Sequence, residues 1–251
     1  WSVGPSGEEI ASGLVEVLAP KEKMRYESKD LPKIQVRRED RIQELLQSCE
    51  GVPALACAVV HPCSPDALRG AIEAAEHQVI TPILIGPESK IRAIAEQENL
   101  DISPYRLVPA EHSHHSAELS GAMVHSGEAQ TLMKGSLHTD ELLAEVVKKD
   151  GGLRTERRIS HCFLLAVPTF PRWIMVTAAA INIAPSLEDK HNIIQNAIDL
   201  ARAIGIAEPK VAILSAVETV TNKIPSTLEA GALCKMADRG QIVGGILDGP
   251  L

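Results

Sequence analysis

Residues 54–85 read ALACAVVHPCSPDALRGAIEAAEHQVITPILI, and the order of patterns within them decides the fold. Ala54–Val60 is an apolar run, the pattern of a strand buried on both faces. His61-Pro62-Cys63-Ser64-Pro65 is a turn, with Ser64 placed to cap a helix and Pro65 at its first position. Asp66–His77 follows as a helix with small residues on its buried face, and Thr81–Ile85 returns to an apolar strand. Strand, helix and strand in that order make a βαβ unit, with parallel strands and a right-handed crossover.

The theme extends in both directions. A helix over Asp40–Cys49 precedes the unit. After Gly86-Pro87 come a helix over Glu88–Asn99, a short strand at Arg106–Val108, a helix near Ser113–His125 and a strand at Thr131–Lys134. The second half places a helix at Asp140–Lys148 and strands at Ile159–Val167 and Trp173–Thr177. A helix over Leu187–Ile204 is opened by Pro185-Ser186 and closed at Gly205. Strand Val211–Ser215, helix Ser226–Ala237 and strand Ile242–Leu247 complete the pattern. An α/β fold with parallel-rich sheets is therefore expected over residues 31–251. The first thirty residues differ: Leu14–Leu18 alternates like a half-buried strand, and the charged stretch Ala19–Arg38 reads as a linker. A parallel strand leads onward to a covering helix, so the ending at Asp248-Gly249-Pro250-Leu251 reads as a cut.

Composition agrees with this and excludes several classes. Hydrophobic residues make up 45% of the 251, enough for a large core, while aromatics are only 2%, so Ala, Val, Ile and Leu must build it. Few aromatics also means few surfaces for stacking bases. The formal net charge is −8 with no basic stripe, which argues against nucleic acid and anionic membrane as partners. The five cysteines include no CxxC pair, which fits a reducing compartment, and no apolar run is long enough to span a membrane. The cytoplasm is the expected location.

In open α/β sheets ligands bind beyond the carboxyl ends of the strands, so the residues just after each strand matter most. Lys134-Gly135-Ser136-Leu137-His138-Thr139-Asp140 ends a strand and opens a helix. It reads as an anion site built from hydroxyls, a lysine and a helix N-terminus, or as an ordinary turn capped by Ser136 or Thr139. The run Arg154-Thr155-Glu156-Arg157-Arg158 supplies guanidinium groups that can grip a phosphate bidentately, or it is a solvated loop. Ser160-His161 can polarise a carbonyl, or His161 is a strand histidine simply hydrogen-bonded in place. Asn182 either holds a ligand carbonyl or helps start the helix from Leu187. Ser215 and Asp248 each follow a strand on the ligand edge. His112, His114 and His115 cluster without a matching carboxylate or cysteine pair, which favours a structural or substrate-edge role over a metal. There is no P-loop, GxGxxG, HExxH or GxSxG, no evident covalent nucleophile, and Cys162 lies in a strand expected to bury it.

Several of these stretches resemble one family. Leu132–Asp140, Gly152–His161, Ile181–Pro185, Leu214–Thr219, Lys235–Gln241 and Gly245–Leu251 are similar to the phosphate acetyltransferase and phosphate butyryltransferase family. Within it the nearest variant is the bifunctional enoyl-CoA hydratase/phosphate acetyltransferase. There a MaoC-like hot-dog domain precedes the transferase, and Pro5–Lys21 resembles that domain's last strand and tail. The resemblance implies a three-layer α/β/α fold of two subdomains with a cleft, similar to the isocitrate and isopropylmalate dehydrogenases. It implies a homodimer, acyl-CoA and inorganic phosphate as substrates, no permanently bound cofactor, and direct transfer in a ternary complex. It points to Ser136, His138, Ser160 and Asn182 as catalytic candidates. Lys134, Gly135, Thr139, Arg154, Arg158, Ser215 and Asp248 are the substrate-binding candidates.

Three departures follow from the same resemblance. The family continues past Asp248–Leu251 into a section with a catalytic Ser-Arg pair and an Asp. Relatives commonly carry Asp where this chain has Ala178, and butyryltransferase-like members often carry an acid at Ala166. A non-catalytic CoA-binding or dimerising module is accordingly the rival expectation. A metal-dependent dehydrogenase of the related fold is a third, opposed by the lack of an acidic metal cluster.

Overall fold

The computed structural model describes residues 2–3, 9–11, 41–167 and 170–251. The chain divides into two units, Trp1–Arg38 and Glu39–Leu251. In the first, β1 (Ser2–Val3) pairs antiparallel with β2 (Glu9–Ala11). The strand expected at Leu14–Leu18, the linker Ala19–Arg38 and the start of the first helix at Asp40 lie outside the described residues.

The second unit begins with α1 (Arg41–Ser48), which buries no residue. Its first sheet is formed by β3 (Leu55–Val60), β4 (Ile80–Gly86), β5 (Arg106–Pro109) and β6 (Thr131–Lys134), in the order β5-β4-β3-β6. Every pairing in it is parallel. The crossovers carry α2 (Pro65–Glu76), α3 (Glu88–Gln97) and α4 (Ser113–His125), and α5 (Thr139–Val146) follows β6.

Strand alternation explains the layers. Cys57, Val59 and Leu84 pack with Leu68 and Ala71 of α2 and Ile91 and Ala95 of α3. Their neighbours Ala58, Ile83 and Ile85 face the other way, onto Met123 of α4, and Val60 meets Ala117 of α4 and Leu142 of α5. Helices therefore cover both faces, and both faces of β3 and β4 are apolar. Pro82 lies within β4, where a proline would normally cost a ladder bond. Here β5 pairs with β4 only from Ile83 onward, so Pro82 has a partner strand on one side alone.

The second half is built differently. β7 (Cys162–Leu165) and β8 (Ile174–Thr177) form an antiparallel pair, because the short connection between them cannot hold a crossover helix. α6 (Leu187–Ala203) and α7 (Pro225–Asp238) pack through Ile194, Ile198 and Leu233 against Val211 and Leu247 of the parallel pair β9 (Lys210–Ala212) and β10 (Ile246–Asp248). The strand expected over Ile242–Leu247 is shorter at its start, since Gly244 has a φ of 86° that breaks the extended run.

Leu84 is fully buried, whereas Leu55 is 46% exposed. Leu84→Ala should cost about 2–5 kcal/mol, and Leu55→Ala less than about 1 kcal/mol, read from denaturant midpoints. Equal losses would contradict this packing of the sheet.

Candidate active site at the carboxyl ends of the strands

Every parallel strand of the first sheet ends on the same edge, and His61 directly follows the end of β3 there. The His61 N–H donates to Ile85 O at 2.8 Å, and its carbonyl accepts from Cys63 N at 2.7 Å and from Ser136 N at 2.8 Å. Gly135 N donates to Val60 O at 2.9 Å. A Cβ on Gly135 would lie 2.6 Å from His61 O and closer still to Val60 O, so no other residue fits that turn. Lys134, Ser136, His138 and Thr139 surround it and are exposed.

The capping alternative for this turn does not hold. The N-cap of α5 is His138, whose side chain makes no capping bond, and neither Ser136 nor Thr139 occupies that position. Asp140 and Glu141 fill the first turn, so the helix end is already balanced by carboxylates and offers an anion little. Any anion affinity here rests on Lys134, whose Nζ has only Gly135 O at 3.4 Å as a partner.

A polar chain stands behind the turn, its link between His61 and Ser116 buried. His61 Nδ1 lies 3.2 Å from Ser116 Oγ, and Ser116 Oγ donates to His112 O at 2.9 Å. His112 caps α4, its Nδ1 accepting from His115 N at 3.1 Å, and His115 Nδ1 accepts from Glu111 N at 3.3 Å. The histidine cluster thus has structural work at the helix start. His114 lies 3.6 Å from Glu141, whose other oxygen is buried without a partner. No group of three or more metal-capable side chains gathers among the described residues.

The second set of candidates forms a network of its own. Arg158 Nε donates to Asn182 Oδ1 at 2.7 Å, and its Nη1 lies 3.2 Å from Asp189. Asn182 is 6% exposed, and its Nδ2 donates to Ile159 O at 3.1 Å. Both ends of its amide make a hydrogen bond, so Asn182 holds the loop together, while its Nδ2 keeps a second N–H. Its neighbours Ala178 and Ile181 have φ of 59° and 71°, a backbone that Ile adopts rarely and at a cost. Ser160 Oγ accepts from Asn196 Nδ2 at 2.9 Å, and the same nitrogen reaches Arg158 O at 3.0 Å. Ser186 caps α6 in a reciprocal capping box with Asp189. Hydrogen bonds from Ser186, backbone first and then hydroxyl, hold the Asp189 carboxyl below its usual range, with Arg158 adding to the effect.

Among the three arginines of the 154–158 run, Arg157 is paired with Asp199 at 2.5 Å and Arg158 with Asp189. Arg154 is exposed and has no ion pair or hydrogen bond among the described residues, which leaves its guanidinium open to a ligand. His161 packs edge-on against Phe163, with both ring nitrogens buried and unpartnered. Burial raises the Cys162 thiol above its ordinary value, which keeps it a poor nucleophile.

The third set sits where β9 and β10 end. Ser215 Oγ lies 2.7 Å from Ser226 Oγ, and Ser215 N donates to Leu251 O at 2.8 Å. Asp248 Oδ1 accepts from Gly249 N at 2.9 Å. A surface depression of about 440 Å³ opens beside them, lined by Ser215, Ala216, Val217, Glu218, Thr219 and Leu251. Among the described residues no hydrogen bond or ion pair joins a candidate of one set to a candidate of another.

The chain has matches among known proteins. Residues 110–251 match the family described as Phosphate acetyl/butaryl transferase. This chain belongs to that family. A Phosphate acetyltransferase of Rhizobium meliloti is 58% identical over 77% of this chain and 61% of its own length. A Phosphate butyryltransferase of Clostridium beijerinckii is 37% identical over 82% of this chain and 68% of its own. Among solved structures, a branched-chain phosphotransacylase from Enterococcus faecalis V583 superposes with a TM-score of 0.64 at 26% identity, over 78% of this chain and 68% of that one. The chain spans about three fifths of the length of the phosphate acetyltransferases it matches.

Sequence reading passed over His61, Ser116 and Glu141. The available signals were a lone histidine closing an apolar strand before a proline, and Ser116 and Ser120 at helical spacing on the buried face of α4.

The His61 imidazole is held below its ordinary pKa by burial first and by the charge of Lys90 second; Glu141 opposes the shift and His112 adds to it. The folded protein therefore keeps His61 neutral where the unfolded chain, with a value of about 6.5, takes up a proton. Stability should be level above pH of about 7 and should fall as pH drops from about 6.5 toward the folded-state value. Denaturant midpoints across that window should show the fall, and His61→Asn should flatten it. An unchanged slope in the variant would contradict the assignment.

Proposed function

We propose that the protein carrying this chain transfers an acyl group between coenzyme A and inorganic phosphate. The observation that carries the proposal is the family match over residues 110–251, which spans the Lys134–Thr139 turn and Arg154. A phosphate oxygen attacks the thioester carbonyl, the new C–O bond forms and the C–S bond breaks. Acyl phosphate leaves, and the proton from phosphate ends on the coenzyme A sulfur. Such a reaction needs no enzyme nucleophile. It needs the two substrates aligned and the developing oxyanion met by donors.

In this reading Arg154 and Lys134 attract phosphate, since neither has an ionic partner among the described residues. Ser136, His138 and Thr139 line the same side. Arg158, Asn182 and Ser160 act by bracing the 158–161 segment and the 178–182 loop, so their part is positioning. Ser215 and Asp248 mark the third strand edge, beside an open depression of about 440 Å³. We further infer a cytoplasmic protein, supported by five cysteines that are all free. A homodimer is part of the same reading, supported by Phe163, Leu165 and Val176, which expose one apolar face of the β7–β8 pair. An enoyl-CoA hydratase domain preceding the chain completes it, supported by the likeness of residues 5–21 to the end of such a domain.

Ala166 and Ala178 favour a second reading, a non-catalytic coenzyme A-binding or dimerising module, because neither can supply charge to a substrate. Thiol release from acetyl-CoA and butyryl-CoA, with and without phosphate, separates the two. The transferase reading predicts release that depends on phosphate, with Arg154→Ala raising the phosphate KM about 10-fold or more, the scale of one lost charged hydrogen bond. Release without phosphate dependence, or none, would favour the module. An unchanged phosphate KM in the variant would remove Arg154 from the site.

A further inference from the structure

We infer that His61 is a positioning residue, holding the Lys134–Thr139 turn in its working shape through its backbone carbonyl and a side-chain link to α4. The inference rests on the proposed function for its kinetic consequence.

Three observations carry it. First, His61 has a φ of 55°, in the left-handed region that residues other than glycine seldom occupy. Such a conformation persists only where the surroundings fix it more than once. Second, the surroundings do so. The His61 N–H is bound to β4 at Ile85 O, and the carbonyl takes two donors, Cys63 N and Ser136 N. An ordinary extended residue at this place would aim the carbonyl elsewhere and leave Ser136 N without a partner.

Third, the imidazole is anchored. It is 9% exposed and meets Ser116, which is fully buried. The Ser116 hydroxyl spends its proton on His112 O at 2.9 Å, so toward His61 its oxygen can only accept. That assigns the proton to Nδ1 and leaves Nε2 as the unprotonated nitrogen. The charged and titratable groups around the ring are Lys90 on α3, His112 at the start of α4 and Glu141 on α5. His61 thus ties β3 to β4, to the N-terminus of α4 and to the turn that carries Ser136. Gly135, with no room for a side chain against Val60 and His61, is the other half of the fit.

The test compares His61→Ala, His61→Asn and Ser116→Ala in the protein that carries this chain. Asn accepts the left-handed backbone and still offers a donor to Ser116, so it should rescue. Two readouts are taken: amide hydrogen exchange of the segment 131–139, and the kinetics of phosphate-dependent thiol release. His61→Ala should speed exchange of that segment about 10-fold while segments in α2 and α3 stay as they were. The phosphate KM should rise by a similar factor, with kcat changing less. Ser116→Ala, which removes one hydroxyl, should move both in the same direction by less, so a His61→Ala that failed to fold would leave the proposal open to refutation. His61→Asn should lie near the wild type in both.

Unchanged exchange of 131–139 in folded His61→Ala or Ser116→Ala would overturn the inference. So would faster exchange with unaltered kinetics, or an Asn variant as impaired as Ala. A wild type without phosphate-dependent release would sink the functional reading instead, and the exchange measurement would still decide whether His61 holds the turn.

Discussion

Strand β3 has apolar helices against both faces, so its backbone groups can be satisfied only by the strands on either side. β4 pairs with it along its whole length, and β6 pairs from Cys57 to Val60. That double pairing sets the register of β6, and the register sets where the chain turns at Gly135. An extra residue before Lys134 would turn side chains to the wrong face and pull the turn off Val60 and His61. Small side chains permit the closeness: Ala58, Ala71, Ala95 and Ala117 are all buried where strand and helices meet. The site's geometry is thus a consequence of how tightly an almost aromatic-free core can be packed.

The second half reaches a comparable precision by polar means. The 178–182 loop contains two residues in the left-handed region, and the buried amide of Asn182 holds the loop to Arg158 and Ile159. Asp189 serves α6 as half of a capping box and Arg158 as a counter-ion. Arg157 and Arg158 are paired with Asp199 and Asp189, and Arg154 has no ion pair among the described residues.

Much of the fold was legible because periodicity and connection length are local properties. The apolar runs at Ala54–Val60 and Thr81–Ile85, separated by one helix, leave little choice but a parallel pair. The antiparallel pairing of the strands within Ile159–Val167 and Trp173–Thr177 was not read from the sequence, whose rhythm suggested parallel sheets. The site was legible by position and less so by role. Placing candidates after strands singled out the Lys134 turn and Ser215, while the Arg154 run, ahead of a strand, was singled out by its charge. It could not tell Asn182 as a brace from Asn182 as a ligand, because that depends on the partners a side chain meets across many residues of chain. His61 escaped for the same reason: nothing adjacent to it reveals Ser116 or Ser136, and a histidine closing an apolar strand looks like an ordinary strand end.

The proposed function makes one chemical claim, that a phosphate oxygen and a thioester carbon are brought together without a covalent enzyme intermediate. Phosphorus NMR of the protein carrying this chain, mixed with acetyl-CoA and inorganic phosphate, tests it most directly. The account predicts that an acyl-phosphate resonance grows as the inorganic phosphate signal declines, matched by free coenzyme A thiol. Thiol appearing with the phosphate signal unchanged would mean hydrolysis rather than transfer, and would contradict the account.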